Sequence, residues 1–241
     1  MLWLMVHIPK TAGTSFRKSV REIFGDSMIL DYGDKPLKVS RWKRNWRTWI
    51  QGQRSKALEI ADNTCIFGHY MPLKYSQLVR TRTCRSITWL RDPIERMVSH
   101  YNFIFEHHRL RQLGPGQSNV VDEKWTLEQF MFSPRYRNYS SQFLWGVGLK
   151  AFDFVGLVEH YEEDLLEFGK QFFGRTLSPH QEKQSQTRQP CPFLDDPQLR
   201  SVAERFHARD MRLYRQALGM RAKRLVNASP SSAKSTVRSV A

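Results

Sequence analysis

The ten residues HIPKTAGTSF, at positions 7–16, follow directly on the apolar run LWLMV. That junction constrains the fold more than any other stretch of the chain. The run is short, bulky and closed by a proline, which predicts a buried strand over residues 2–8. Pro9 ends the strand because it has no N–H for the ladder. Gly13 is expected to make a tight turn, with Thr14 and Ser15 capping a helix over residues 16–24. A strand, a turn and a helix start are the parts that cradle a phosphate on backbone N–H groups and the helix dipole. The common nucleotide loop G-x-x-x-x-G-K-[ST] places its lysine after the last glycine. Here Lys10 precedes Gly13, so the stretch has the physics of a phosphate loop without the spelling of an ATPase.

Further strands are expected near residues 27–31, 65–69 (CIFGH), 86–90 (SITWL) and 152–158 (FDFVGLV). Between them lie helical patterns. Residues 40–60 carry Trp42, Trp46 and Trp49 at i, i+4 and i+7 on one face, a stripe that is more often core than binding platform, with basic flanks that could line a channel for an anionic glycan. Asp92-Pro93 reads as N-cap and first helical residue, followed by the apolar stripe Ile94, Met97, Val98 and Tyr101. Residues 113–121 read as a loop, and 125–132 and 140–145 as short helices. An amphipathic helix is expected over 161–173, a polar Pro-containing stretch over 177–192, and one long closing helix over 197–218. Strands alternating with helices predict an α/β fold: a single domain with a P-loop-like central parallel sheet flanked by helices, its sites at the carboxyl ends of the strands. The expected domain is 1–219, with 220–241 a basic, disordered tail.

A chain of 241 residues with 40% apolar content can bury a core of that kind. No apolar run is long enough for a transmembrane segment, and no signal peptide is evident. Three widely spaced cysteines, Cys65, Cys84 and Cys191, argue against a disulfide framework and a zinc site. A cytoplasmic location is therefore expected, or the Golgi lumen if the chain is a piece of a larger membrane-anchored protein. The formal charge of +15 is local: thirteen basic residues, and no acid, lie in 35–56 and 220–241. Such density points to a polyanionic partner, whether nucleic acid, anionic membrane or acidic polysaccharide.

Three strand ends carry the chemistry. Residue 8 leads into Pro9-Lys10, residue 67 into Gly68-His69, and residue 90 into Arg91-Asp92. In an open α/β sheet these ends face one crevice, where Arg91 and Ser99 can converge on a second phosphate. Two anion sites on one crevice suggest a nucleotide phosphorylated in two places.

Here the sequence resembles a known family. HIPKTAGTSF is similar to the 5′-phosphosulfate loop of the sulfotransferases, and SITWLRDPIERMVSHYNF to their 3′-phosphate motif. Both are most similar to the carbohydrate type, especially the glycosaminoglycan uronyl 2-O-sulfotransferases. CIFGHY resembles the strand bearing that family's catalytic histidine, and RNYSSQFLWG and FDFVGLVEHYEEDL continue the likeness. RNYSSQFLWG departs in one respect: Ser140 and Gln142 stand where a glutamine and a basic residue are expected. The resemblance implies sulfuryl transfer from 3′-phosphoadenosine 5′-phosphosulfate (PAPS) to a carbohydrate hydroxyl, with an anionic polysaccharide among the candidate acceptors and with no metal and no nucleic acid partner. Lys10 would stabilise the leaving oxygen and His69 would be the general base. Lys10, Thr11, Ala12, Gly13, Thr14, Ser15, Arg91 and Ser99 would hold the donor. Arg17, Arg41, Arg44, Arg47 and Asn138 are the candidate acceptor contacts.

Bland readings stand beside these. Arg91 could pair with Asp92 or Glu95, His69 could be a hydrogen-bonded strand-end histidine, and His107-His108 a solvated pair. Two other functions compete: a P-loop-like phosphoryl transferase, and a non-catalytic polyanion-binding module using residues 35–56. Oligomeric state is not legible in the sequence.

Overall fold

The computed structural model describes residues 1–34, 39–109, 118–180 and 191–228. Its centre is a five-stranded, wholly parallel sheet of β1 (Leu2–Val6), β2 (Met28–Leu30), β3 (Cys65–Gly68), β4 (Cys84–Leu90) and β5 (Phe154–Leu157), in the order β2-β3-β1-β4-β5. The expected α/β class and parallel sheet are therefore observed. Every residue of β1 is buried, as a central strand covered on both faces requires.

Strand alternation divides the core. Leu2, Leu4 and Val6 face one side with Ile66, Leu90, Val155 and Leu157. Trp3 and Met5 face the other with Cys65, Phe67, Ile87, Trp89 and Phe154. Helices α1 (Gly13–Phe24) and α8 (Tyr161–Phe173) cover the second face through Phe16, Val20, Leu165 and Phe168. The first face is closed by α4 (Pro93–Arg109), α6 (Leu127–Met131), α7 (Tyr139–Phe143) and the C-terminal helices.

Between β2 and β4 lie α2 (Arg41–Arg54) and α3 (Ser76–Thr81). A short helix, α5 (Ser118–Asp122), occupies part of the segment expected as loop. After α9 (Pro192–Asp195), the expected closing helix is two: α10 (Pro197–Phe206) and α11 (Ala208–Ala228). The break falls at His207, whose buried ring spans the two neighbouring segments. Its Nδ1 accepts from the Asn138 N–H at 3.2 Å, and its Nε2 donates to the Met131 carbonyl at 3.0 Å.

The expected boundary at 219/220 is also corrected. Helix α11 runs through it, because Arg221 is drawn in by Asp164, at 2.7 Å, and by Glu163, while Arg224 meets Glu167 at 3.1 Å and the Val155 carbonyl at 2.9 Å. Residues 229–241 of the expected tail, and Lys35 and Lys38 of the basic stretch, lie outside the described residues.

Candidate active site

The register makes the ends of β1 and β3 level, and β4 runs two residues beyond them. Val6 pairs with Gly68 on β3 and with Thr88 on β4. The His7 N–H donates to the Gly68 carbonyl at 2.8 Å, and the Thr88 hydroxyl to the Val6 carbonyl at 3.0 Å. The segments that follow, 7–13, 69–71 and 91–92, are thereby brought to one edge of the sheet. Helix α1 leaves β1 on one face and α4 leaves β4 on the other, which opens a crevice beyond both strands.

The phosphate-type loop is built differently from the sequence expectation. Its left-handed positions are Lys10 (φ 72°) and Ala12 (φ 57°), not Gly13. Such a conformation costs a non-glycine residue about 1–2 kcal/mol, and strain of this kind collects at functional sites. The buried Thr11 hydroxyl pins the bend by donating to the Ile8 carbonyl at 2.8 Å. Gly13 is required for another reason: a Cβ there would lie 1.7 Å from His7 Nε2.

Helix α1 starts at Gly13 behind Ala12, and no side chain caps it. Thr14 and Ser15 are thus residues of the first turn rather than its cap. The first intrahelical bond is Phe16 N–H to the Ala12 carbonyl, at 3.0 Å. The N–H groups of Gly13, Thr14 and Ser15 precede it, which leaves the donors and the positive dipole end that an anion would meet.

His69 is anchored through Nδ1, 2.7 Å from the His7 carbonyl oxygen. A carbonyl can only accept, so the proton sits on Nδ1 and the neutral ring keeps its lone pair on Nε2. Burial lowers the His69 pKa, which favours that neutral form, although the bond to His7 opposes the shift. The ring packs on His7 (centroids 4.4 Å apart), Tyr32 (4.8 Å) and Phe143 (6.4 Å). His7 itself is pushed well below its ordinary pKa by desolvation, then by the nearby charges of His69, Arg17 and Lys10. Lys10 and the half-buried Arg17 therefore stand close to this histidine pair. The Lys10 ammonium rests over the Phe103 ring of α4, 4.2 Å from its centroid.

At the end of β4, Asp92 caps α4 as expected, accepting from the N–H groups of Ile94 and Glu95 at 3.0 and 3.1 Å. Its other oxygen takes Arg200 at 2.6 Å, so it is not the partner of Arg91. Arg91 has only a loose 3.4 Å contact with Glu95, and its buried Nε has no hydrogen-bond partner among the described residues. Ser99 is half-buried on α4.

Two buried groups of α4 went unnoticed in the sequence. Arg96 is 1% exposed; its Nη2 donates to Met97 Sδ at 2.8 Å, its Nε and Nη1 have no partner among the described residues, and its guanidinium lies 4.4 Å from the Tyr139 ring centroid. His100 is buried one turn on, its Nδ1 without a partner among the described residues; burial, then Arg96, Lys10 and His69, hold its pKa well below the usual value. The spacing Arg96, His100, Phe103 on one helix face was the available clue.

The expected acceptor contacts separate. Arg44 is buried and donates to the Gln142 side-chain oxygen at 3.1 Å, so it brings a cation to the place where position 142 lacks one. Arg41 and Arg47 are exposed, off the face that Arg44 occupies. Asn138 is committed to the fold: its side-chain oxygen accepts from the N–H groups of Arg209 and Asp210, at 3.0 and 3.2 Å. The tryptophans expected in the core are instead on the surface, Trp42 being 73% exposed. His107 bonds the Phe103 carbonyl at 3.1 Å. Among the described residues no three His, Cys, Asp or Glu side chains gather as metal ligands, and no helix is long and apolar enough to cross a membrane.

No protein-family model matches the chain, and no curated protein matches it. Among solved structures it is similar to a sulfotransferase from Alicyclobacillus acidocaldarius, at 14% identity, over 89% of this chain and 94% of that one, with a TM-score of 0.44. It is also similar to the mouse sulfotransferase SULT7A1 complexed with PAP, at 13% identity, over 72% of this chain and 56% of that one, with a TM-score of 0.40.

Proposed function

We propose that this chain is a sulfotransferase that moves the sulfuryl group of PAPS to a carbohydrate hydroxyl. The observation that carries the reading is the convergence at one sheet edge of an uncapped helix N-terminus with Lys10 beside it, an imidazole with a free Nε2, and an arginine with a buried, unpartnered Nε. Each answers one need of the reaction. The donor brings a sulfuryl group already activated by its phosphate anhydride.

The N–H groups of residues 13–15, with the dipole of α1, suit the 5′-phosphosulfate, and Thr11 and Ala12 shape that cradle. Arg91 and Ser99 suit the 3′-phosphate: the Arg91 side chain is 26% exposed, open to a ligand, and held by no full partner. His69 Nε2 takes the acceptor's hydroxyl proton as its oxygen bonds to sulfur. The bridging sulfur–oxygen bond breaks, its electron pair stays on the departing phosphate oxygen, and Lys10 stabilises the charge that grows there. Arg17 and Arg44 are the acceptor contacts retained from the sequence reading. They suit carboxylates or sulfates of an acidic saccharide, and Arg96 adds positive potential behind them.

The test is calorimetric titration with 3′-phosphoadenosine 5′-phosphate and with ADP, both without magnesium. The expected result is binding that requires the 3′-phosphate and weakens roughly 10- to 100-fold in Arg91→Ala, the loss expected for one charged hydrogen bond. Equal binding of ADP, or none of either, would remove the reading.

A further inference from the structure

Helix α2 is inside out. Its buried residues are Arg44, Thr48 and Gly52. Its outward face carries Trp42, Trp46 and Trp49, which are 73%, 57% and 51% exposed. A surface helix ordinarily turns such a stripe to the core. This one is held the other way by close contacts that only small or polar residues permit. A Cβ at Gly52 would lie 2.4 Å from the Leu73 carbonyl oxygen, and the Thr48 hydroxyl meets Met71 Sδ at 3.4 Å. The helix cannot roll to hide its tryptophans without breaking that seat. At about 100° per residue, Lys43, Arg47 and Arg54 form one flank of the stripe, and all three are exposed. The stretch 35–56 contains no acid.

We propose that this face docks on an anionic phospholipid surface. The tryptophans enter the boundary between headgroups and acyl chains, and the basic flank meets lipid phosphates and carboxylates. Indole is the side chain that best suits that boundary, with an apolar body and one polar N–H. Cations beside it add attraction to anionic headgroups. The other occupants fit less well. A second copy would bring the same cationic flank, on a chain of formal charge +15, against itself. A polysaccharide stacks on open ring faces, but the Trp42 and Trp46 rings stack on each other, 7° from parallel with centroids 6.3 Å apart. The stripe also lies on the side of α2 opposite Arg44, which turns toward Gln142, so a glycan reaching His69 would not cross it.

The proposal is independent of the transferase reading, and the full-length chain tests it. Co-sedimentation would be measured with vesicles of phosphatidylcholine alone and of phosphatidylcholine with phosphatidylserine, while tryptophan emission is followed. Binding to the mixed vesicles with a blue shift, weakened by salt, is expected. Trp42→Ser/Trp46→Ser/Trp49→Ser should lose roughly 10-fold or more of that binding, by removing the apolar insertion. Lys43→Glu/Arg47→Glu/Arg54→Glu should lose more, roughly 100-fold or more at about fivefold per charge near the surface, and it serves if the first variant does not fold. Several results would overturn the proposal: no binding to anionic vesicles, equal binding by both variants, sedimentation as a dimer through the stripe, or capture by a soluble acidic polysaccharide through these tryptophans without vesicle binding.

Discussion

Behind β5, Arg221 and Arg224 reach Glu163, Asp164 and Glu167, and the fully buried Asp164 also accepts the Leu157 N–H at 2.8 Å. Beyond the ends of β1 and β4, by contrast, Arg91, Arg96 and His100 keep buried nitrogen atoms without partners among the described residues. Both regions remove charged or polar groups from water. In the first, acids from α8 compensate the cations. In the second, the acids compensate less fully: Glu95 touches Arg91 loosely at 3.4 Å, Asp210 acts on Arg96 through its charge, and burial still depresses the pKa values of Arg96 and His100. A desolvated cation without a partner costs several kcal/mol. The first cluster therefore reads as structure. The second reads as a site whose positive charge, part-exposed at Arg91 and buried behind it at Arg96, suits an anion from outside the chain.

The largest effects should separate the two regions most clearly. Lys10→Ala and His69→Ala are each expected to lower single-turnover sulfuryl transfer by about 10²–10⁴-fold, with the melting temperature held. Variants that melt early while keeping their rate would place these residues in the structural class and break the comparison. Arg221→Ala should do the reverse. Buried Asp164 would lose its 2.7 Å partner and keep the Leu157 N–H and a 3.7 Å contact to Arg224, a loss expected to cost up to about 3–5 kcal/mol in denaturant unfolding, with nucleotide affinity per folded molecule unchanged. The smallest effect is in pH. Folding lowers the pKa values of His7, His69 and His100. Below the ordinary histidine value of about 6.5, the unfolded chain then binds more protons than the folded one. Stability should be level above that value and fall as the pH drops below it. Each fully depressed imidazole adds at most about 1.4 kcal/mol per pH unit to the slope. His100→Gln should flatten the fall, and an unchanged slope would show that His100 is already charged in the folded state.

The sequence was most informative where local pattern and tertiary role agree. The strand before Pro9, the cap and first residue at Asp92-Pro93, and α8 over Tyr161–Phe173 follow from patterns that a few residues complete. Three strand ends bearing Lys10, His69 and Arg91 were legible for the same reason. What escaped depends on distant partners. A period of 3.6 places Trp42, Trp46 and Trp49 on one face but cannot say which way that face turns; Gly52 and Leu73 decide it. The left-handed turns at Lys10 and Ala12 are imposed on residues that do not prefer them. Arg221 and Arg224 read as part of a solvated basic run because their acids lie 57 residues earlier in the chain.

The strand order has a further consequence, for synthesis. The central strand, β1, precedes both of its neighbours, β3 and β4, in the chain, so both its edges lack partners until residues 65–90 have been made. Leu-Trp-Leu-Met-Val with two open edges is a sticky segment, apolar, uncharged and free of proline. The nascent chain therefore passes through a stage at which its future centre is its most aggregation-prone part. Shielding of this strand, by a chaperone or by slow release of unpaired strand, will govern how much of the chain reaches the folded state.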